Sequence, residues 1–134
     1  MTGHIPRRPA PATGPAVLIA AVSTAAQADR ATAAGADMID AAGLSDQAVA
    51  AIRARQPRVR RWAGSPAAVG ADGATAADGR AMPVAAVVAR AAVLTWLGTP
   101  AIRTRHVLPV RRAIDMTSSI AGTRLPSLTT RGLG

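Results

Sequence analysis

The sequence predicts an α/β protein, a partial TIM-barrel-like repeat of about four strand–helix units that is too short to close a barrel alone. Three observations predict it. Short strand-length runs at 17–22, 38–40 and 101–105, the last carrying two arginines, alternate with stripes of helical spacing, and glycine or proline punctuates most junctions. Repeated strand–helix alternation implies a parallel sheet with right-handed crossovers and a ligand edge at the strand C-termini. The chain has 134 residues, whereas an eight-stranded barrel uses about 250.

Residues 1–15 combine prolines with two arginines and a histidine, a composition that buries too little apolar surface to order itself, and they are expected to form a flexible arm. Val17 to Val22 are apolar throughout, as in a strand covered on both faces. Arg7, Arg8 and the Ala26-Gln27-Ala28 triplet imitate a signal peptide around this run. Its prolines and weak, alanine-rich centre favour instead a first core strand in a cytoplasmic protein. Thr24 and Gln27 have capping-box form, and Gly35 supplies a stop.

Gly35-Ala36-Asp37 leads into a second strand, Met38-Ile39-Asp40, whose C-terminal end carries a carboxylate where α/β folds keep their ligands. Ser45 caps the next helix, Asp46 suits its positive N-terminus, and Ala48, Val49 and Ile52 carry it to Arg55 before Pro57 ends it. The run 58–62 is a third strand, placed at an edge because its arginines do not share one face. From 64 to 80 glycine, alanine, aspartate and serine show no periodicity, which predicts a mobile loop.

Pro83 opens a helix with the stripe Val84, Val87, Val88, Ala91 and Leu94, closed by Gly98 and Pro100. The strand 101–105 follows. A helix begun by Pro109 then carries Val110, Ala113, Ile114, Thr117 and Ala121 to Gly122, with Arg111 and Asp115 paired on its outer face. One α/β domain over 16–122 is thus expected, with an irregular tail over 123–134.

Composition narrows the chemistry. The net charge is +9 and every basic residue is arginine, so lysine-dependent chemistry is excluded. Without cysteine there is no disulfide framework or thiolate zinc site, and His4 and His106 have no ligand spacing around them, so neither a metal nor a cofactor is expected. Alanine dominates the apolar residues and there is no Phe or Tyr, which predicts a small-residue core of modest stability. No apolar segment is long enough to span a bilayer. Alternation puts Arg103 and Arg105 on one strand face, and the following helix start adds N–H groups, so the corner is a candidate anion site. His106 reads as a surface side chain.

Two segments resemble the dihydropteroate synthase family, barrel enzymes that join a pterin pyrophosphate to p-aminobenzoate on the folate pathway. Gly98-Thr99-Pro100-Ala101-Ile102-Arg103, followed by Val107 and a helix, is similar to that family's last strand and helix, with Arg103 on its arginine and Val107 on its valine. The downstream Arg111-Arg112, Met116, Ser119-Ile120, Gly122, Arg124, Pro126, Thr129 and Arg131-Gly132-Leu133 are similar to a divergent branch with this same tail. Gly35-Ala36-Asp37-Met38-Ile39-Asp40 resembles the family's second strand or its fourth, and both strand ends touch the pterin ring there. The resemblance implies that Arg103 and Arg105 hold a pyrophosphate or other anion and that Asp40 faces a pterin.

The departures bear on catalysis. Arg105 replaces the family's histidine, Ala20-Ala21-Val22-Ser23-Thr24 replaces its first-strand loop, and the lysine and asparagine it uses for substrate and metal are absent from the whole chain. A charge-stabilising donor is worth about 2.7–4 kcal/mol in a transition state, so losing several removes most of the stabilisation. The leading expectation is a catalytically incompetent, dihydropteroate synthase-like pseudoenzyme that binds a pterin or another phosphorylated small molecule. A second is a structural protein that completes a barrel with another copy of itself or a full-length synthase relative. A third, disfavoured because only two tryptophans could stack on bases, is a nucleic-acid binder using Arg53, Arg55, Arg58, Arg60 and Arg61.

Overall fold

A computed structural model describes residues 14–65, 67–73 and 80–123. Most of the expected arm and tail, residues 1–13 and 124–134, lie outside the described residues. The elements in order are β1 (Val17–Ala21), α1 (Ala25–Ala33), β2 (Met38–Asp40), α2 (Asp46–Arg55), β3 (Arg60–Arg61), β4 (Ala68–Gly70), α3 (Val84–Trp96), β5 (Ala101–Thr104) and α4 (Val107–Ile120). The strands form one parallel sheet in the order β3-β2-β1-β5-β4. The α/β class and the parallel sheet therefore agree with the sequence.

Local signals set most boundaries. Thr24 Oγ1 accepts from the Gln27 N–H at 3.2 Å, while Gln27 Oε1 reaches back to the Ser23 N–H at 2.8 Å, one residue earlier than an ideal capping box. Ser45 Oγ accepts from the Ala48 N–H at 3.3 Å and starts α2. Gly35 follows α1 with φ +99°, a conformation that favours a residue without Cβ. The helix α4 begins at Val107, before the expected Pro109, because a proline is tolerated anywhere in the first turn, where its missing N–H has no intrahelical partner.

The principal correction concerns the mobile loop expected over 64–80, of which residues 66 and 74–79 lie outside the described residues. Ala68–Gly70 form a strand on the free edge of β5, with Ala68 level with Ala101 and Gly70 with Arg103. Three residues give no readable alternation, and the strand exists only through its partner. Ala71 just beyond it is fully buried and donates its N–H to Arg103 O. A second correction concerns Arg111, whose side chain is only 16 % exposed. Besides pairing with Asp115, its Nη1 reaches Asp37 Oδ2 at 3.1 Å, tying α4 to the α1–β2 turn rather than lying on the outer face.

Register separates the two sheet faces. Leu18 lies beside Ile102, and Ala20 beside Ile39 and Thr104. Of these, Leu18, Ala20, Ile39 and Ile102 share one cluster with Ala28 and Ala31 of α1, Ile52 of α2, Val87 and Ala91 of α3, and Val110 and Ile114 of α4. All four helices thus contribute to a core on one side of the sheet. On the other side Ile19 lies beside Met38 and Arg103, and Ala21 beside Asp40. Ile19 is 1 % exposed yet stands apart from the helix-side cluster.

The link over 62–67 joins opposite edges of this sheet. Four interstrand steps of about 4.8 Å would put those edges about 19 Å apart if the sheet were flat. The register adds about 10 Å along the strands, because Arg61 is level with Ala20 and Ala68 with Val17. Just before β4 the Ala68 N–H donates to Ser65 O at 3.1 Å.

Candidate functional site

Arg103 and Asp40, far apart in sequence, meet on that helix-free face. Asp40 ends β2, and Arg103 is the third residue of β5, with β1 between them. One small side chain on β1 permits the reach: Ala21 is level with Asp40 and leaves space over the strand end. The Arg103 Nε–H donates to Asp40 Oδ2 at 2.7 Å, and Asp40 Oδ1 accepts from the Ala42 N–H at 3.1 Å. The Asp40 side chain is 10 % exposed and that of Arg103 42 %. The carboxylate thus fixes through Nε an arginine whose side chain is partly exposed.

Arg105 does not join them. It lies beyond the end of β5, where alternation no longer governs direction, and its Nε–H donates to Asp72 Oδ2 at 3.3 Å. Asp72 also takes the Arg105 backbone N–H at 3.0 Å and the hydroxyl of the fully buried Thr104. Thr104 Oγ1 in turn accepts from the His106 N–H at 3.0 Å, which closes the turn into α4. Burial tends to raise the Asp72 pKa. The hydrogen bonds from Thr104 and Arg105, with the nearby His106 charge, outweigh that effect and hold it below its ordinary 3.8. His106 is half-buried rather than a free surface group.

Arg105 instead lines a cleft of about 470 Å³ that runs along α1 as far as Ala34, between it, the end of β1 and the start of α4. Ser23, Gln27 and Arg30 form one wall, and Arg105, Val107 and Leu108 the other. Among the described residues no carboxylate lines it. Because Gln27 Oε1 is held by the Ser23 N–H, Gln27 presents its amide nitrogen as a donor. Neither Arg30 nor Asp72 was singled out from the sequence. Arg30 sits among alanines with no local pattern, and Asp72 matters only because β4 packs beside β5.

The remaining charges are unevenly shared. Among the described residues the aspartates pair with Arg55, Arg103, Arg105 and Arg111, apart from Asp46 at the start of α2. Arg30, Arg53, Arg58, Arg60 and Arg61 are exposed and make no ion pair among the described residues. No group of His, Cys, Asp or Glu among the described residues could hold a metal ion. Among the same residues no helix is long and apolar enough to cross a membrane. Compared with protein-family models, curated proteins and solved structures, the chain matches none of them.

Proposed function

We propose that this chain is a shortened, dihydropteroate synthase-like protein of the cytoplasm that binds a pterin carrying a phosphate or pyrophosphate and has lost the synthase reaction. The observation that carries the reading is the Arg103–Asp40 contact across β1. Two residues singled out for the anion and the pterin ring come from separate segments and share one strand-end face. The strand order supports it, because β5 lies against β1 as the last strand of a closed eight-stranded unit lies against the first. In that comparison β4, β5, β1, β2 and β3 form an arc of the barrel, with its middle strands replaced by the 62–67 link.

In this role Arg103 offers its outer guanidinium nitrogens to the phosphate, and Asp40 holds that guanidinium in place while its remaining lone pairs face pterin N–H groups. Chemistry is not part of the proposal, since the chain has neither the lysine nor the asparagine that the family uses. An isotherm with pterin pyrophosphate tests it. Wild type is expected to bind and Arg103→Ala to lose at least about tenfold in affinity. No binding by wild type, or equal binding by the variant, defeats the reading.

A second reading, assembly with another copy or with a full-length relative, draws on the edges of β3 and β4, which pair with no further strand among the described residues, and on exposed apolar side chains of α4 and just beyond α3. Leu97 is 56 % exposed, Met116 69 % and Ile120 73 %. Light scattering that returns a well-folded monomer removes the self-assembly form of this reading. The unpaired arginines around β3 favour nucleic acid only if duplex affinity falls steeply with salt.

A further inference from the structure

We propose that the cleft between α1 and α4 is a binding site for a small phosphomonoester, with the phosphate held between Arg30 and Arg105 and an apolar body against the α4 wall. The inference uses neither Arg103 nor Asp40, although the cleft borders their face at Ala21, the last residue of β1, which lines it and lies level with Asp40.

The polar lining carries the chemistry. Each polar side chain that lines it can donate a hydrogen bond: the Ser23 hydroxyl, the Gln27 amide nitrogen, and the guanidinium groups of Arg30 and Arg105. The one side-chain carbonyl is already spent on the Ser23 N–H. Arg105 uses its Nε on Asp72 at 3.3 Å, which fixes the side chain and leaves its two terminal nitrogens. Arg30 has no ion-pair partner among the described residues, since the aspartates near it are committed elsewhere: Asp29 to Arg55 and Asp37 to Arg111. Two guanidinium groups with no carboxylate between them select a ligand rich in acceptors and negative charge.

Size and walls narrow the ligand further. At about 470 Å³ the cleft exceeds what inorganic phosphate fills and lies within the range of small-molecule sites. Val107 and Leu108 on one side and Ala31 and Ala34 on the other give apolar contact beyond the anion. A phosphate ester of a small apolar group meets both conditions.

The test titrates the full chain at low ionic strength with phenyl phosphate, inorganic phosphate and acetate, followed by amide chemical shifts. Phenyl phosphate is expected to bind tightest and acetate weakest, with shifts gathered at Ser23 to Arg30 and Arg105 to Leu108. Arg30→Ala should weaken phenyl phosphate about tenfold, and Arg30→Gln should do the same. Alanine is compatible with an exposed helix position, so the fold should be retained. Arg112→Ala, an exposed arginine outside the cleft, should leave the affinity unchanged.

Unchanged affinity in both Arg30 variants overturns the proposal, as does an equal loss in Arg112→Ala, which would mean attraction to net charge alone. Loss in Arg103→Ala without loss in Arg30→Ala would put the anion on the other face. That outcome defeats this site and leaves the pterin reading standing.

Discussion

The contact between Arg103 and Asp40 can be measured by a double-mutant cycle with Asp40→Ala, Arg103→Ala and the double variant. The structure bounds the coupling from both sides. Fully exposed ion pairs contribute about 0–1 kcal/mol, and breaking a fully buried pair costs about 3–5 kcal/mol. Here the acid is 10 % exposed and the base 42 %, joined by a single charged hydrogen bond of 2.7 Å rather than a two-pronged fork. A coupling of about 1–1.5 kcal/mol follows. Asp40→Ala should cost more in total than Arg103→Ala, about 2–3 against 1–2 kcal/mol, because it also strips the acceptor from the Ala42 N–H. Urea unfolding of the four proteins at neutral pH measures these values. A coupling below about 0.3 kcal/mol, within the error of additivity, would refute the reasoning, since it would mean that the two groups do not hold each other in solution.

Further predictions follow from the core, one turn and one acid. Ile102 is fully buried against Leu18, and Ile102→Ala should cost about 2–5 kcal/mol, enough in an alanine-rich domain to leave much of the chain unfolded by circular dichroism. Ile102→Val should cost about 0.5–1.5 kcal/mol and keep the fold. Gly35→Ala meets both a φ of +99° and Arg111 Cδ at 3.0 Å from the new Cβ. It should cost about 1–2 kcal/mol in thermal or urea unfolding, and an unchanged midpoint would contradict the described turn. Asp72 has its folded pKa lowered, so its stabilisation is present above the unfolded value of about 3.9 and is lost as pH falls through the folded value. Below about pH 4, wild-type stability should therefore fall more steeply than that of Asp72→Asn, and parallel pH profiles would count against the Thr104–Asp72–Arg105 network.

How much of the site was legible differs residue by residue. Arg103 and Asp40 could be picked out because each lies at a strand end with an apolar run before it. That they touch could not, since it depends on β1 lying between β2 and β5. Arg105 was grouped with Arg103 by alternation, and the strand ends before that rule reaches it. Asp72 was hidden in a stretch of glycine and alanine, where a strand of three residues leaves no period to read.

By itself the sequence determined the α/β class, the parallel winding and most element boundaries. These follow from short-range causes: apolar period, the Thr24 and Ser45 caps, and Gly35 with Pro57 as stops. Only the tertiary structure decided that β4 exists, that β5 lies beside β1, and that the two arginines of one strand end serve different faces. Strand pairing joins residues distant along the chain, so its free energy depends on partners that no local window contains.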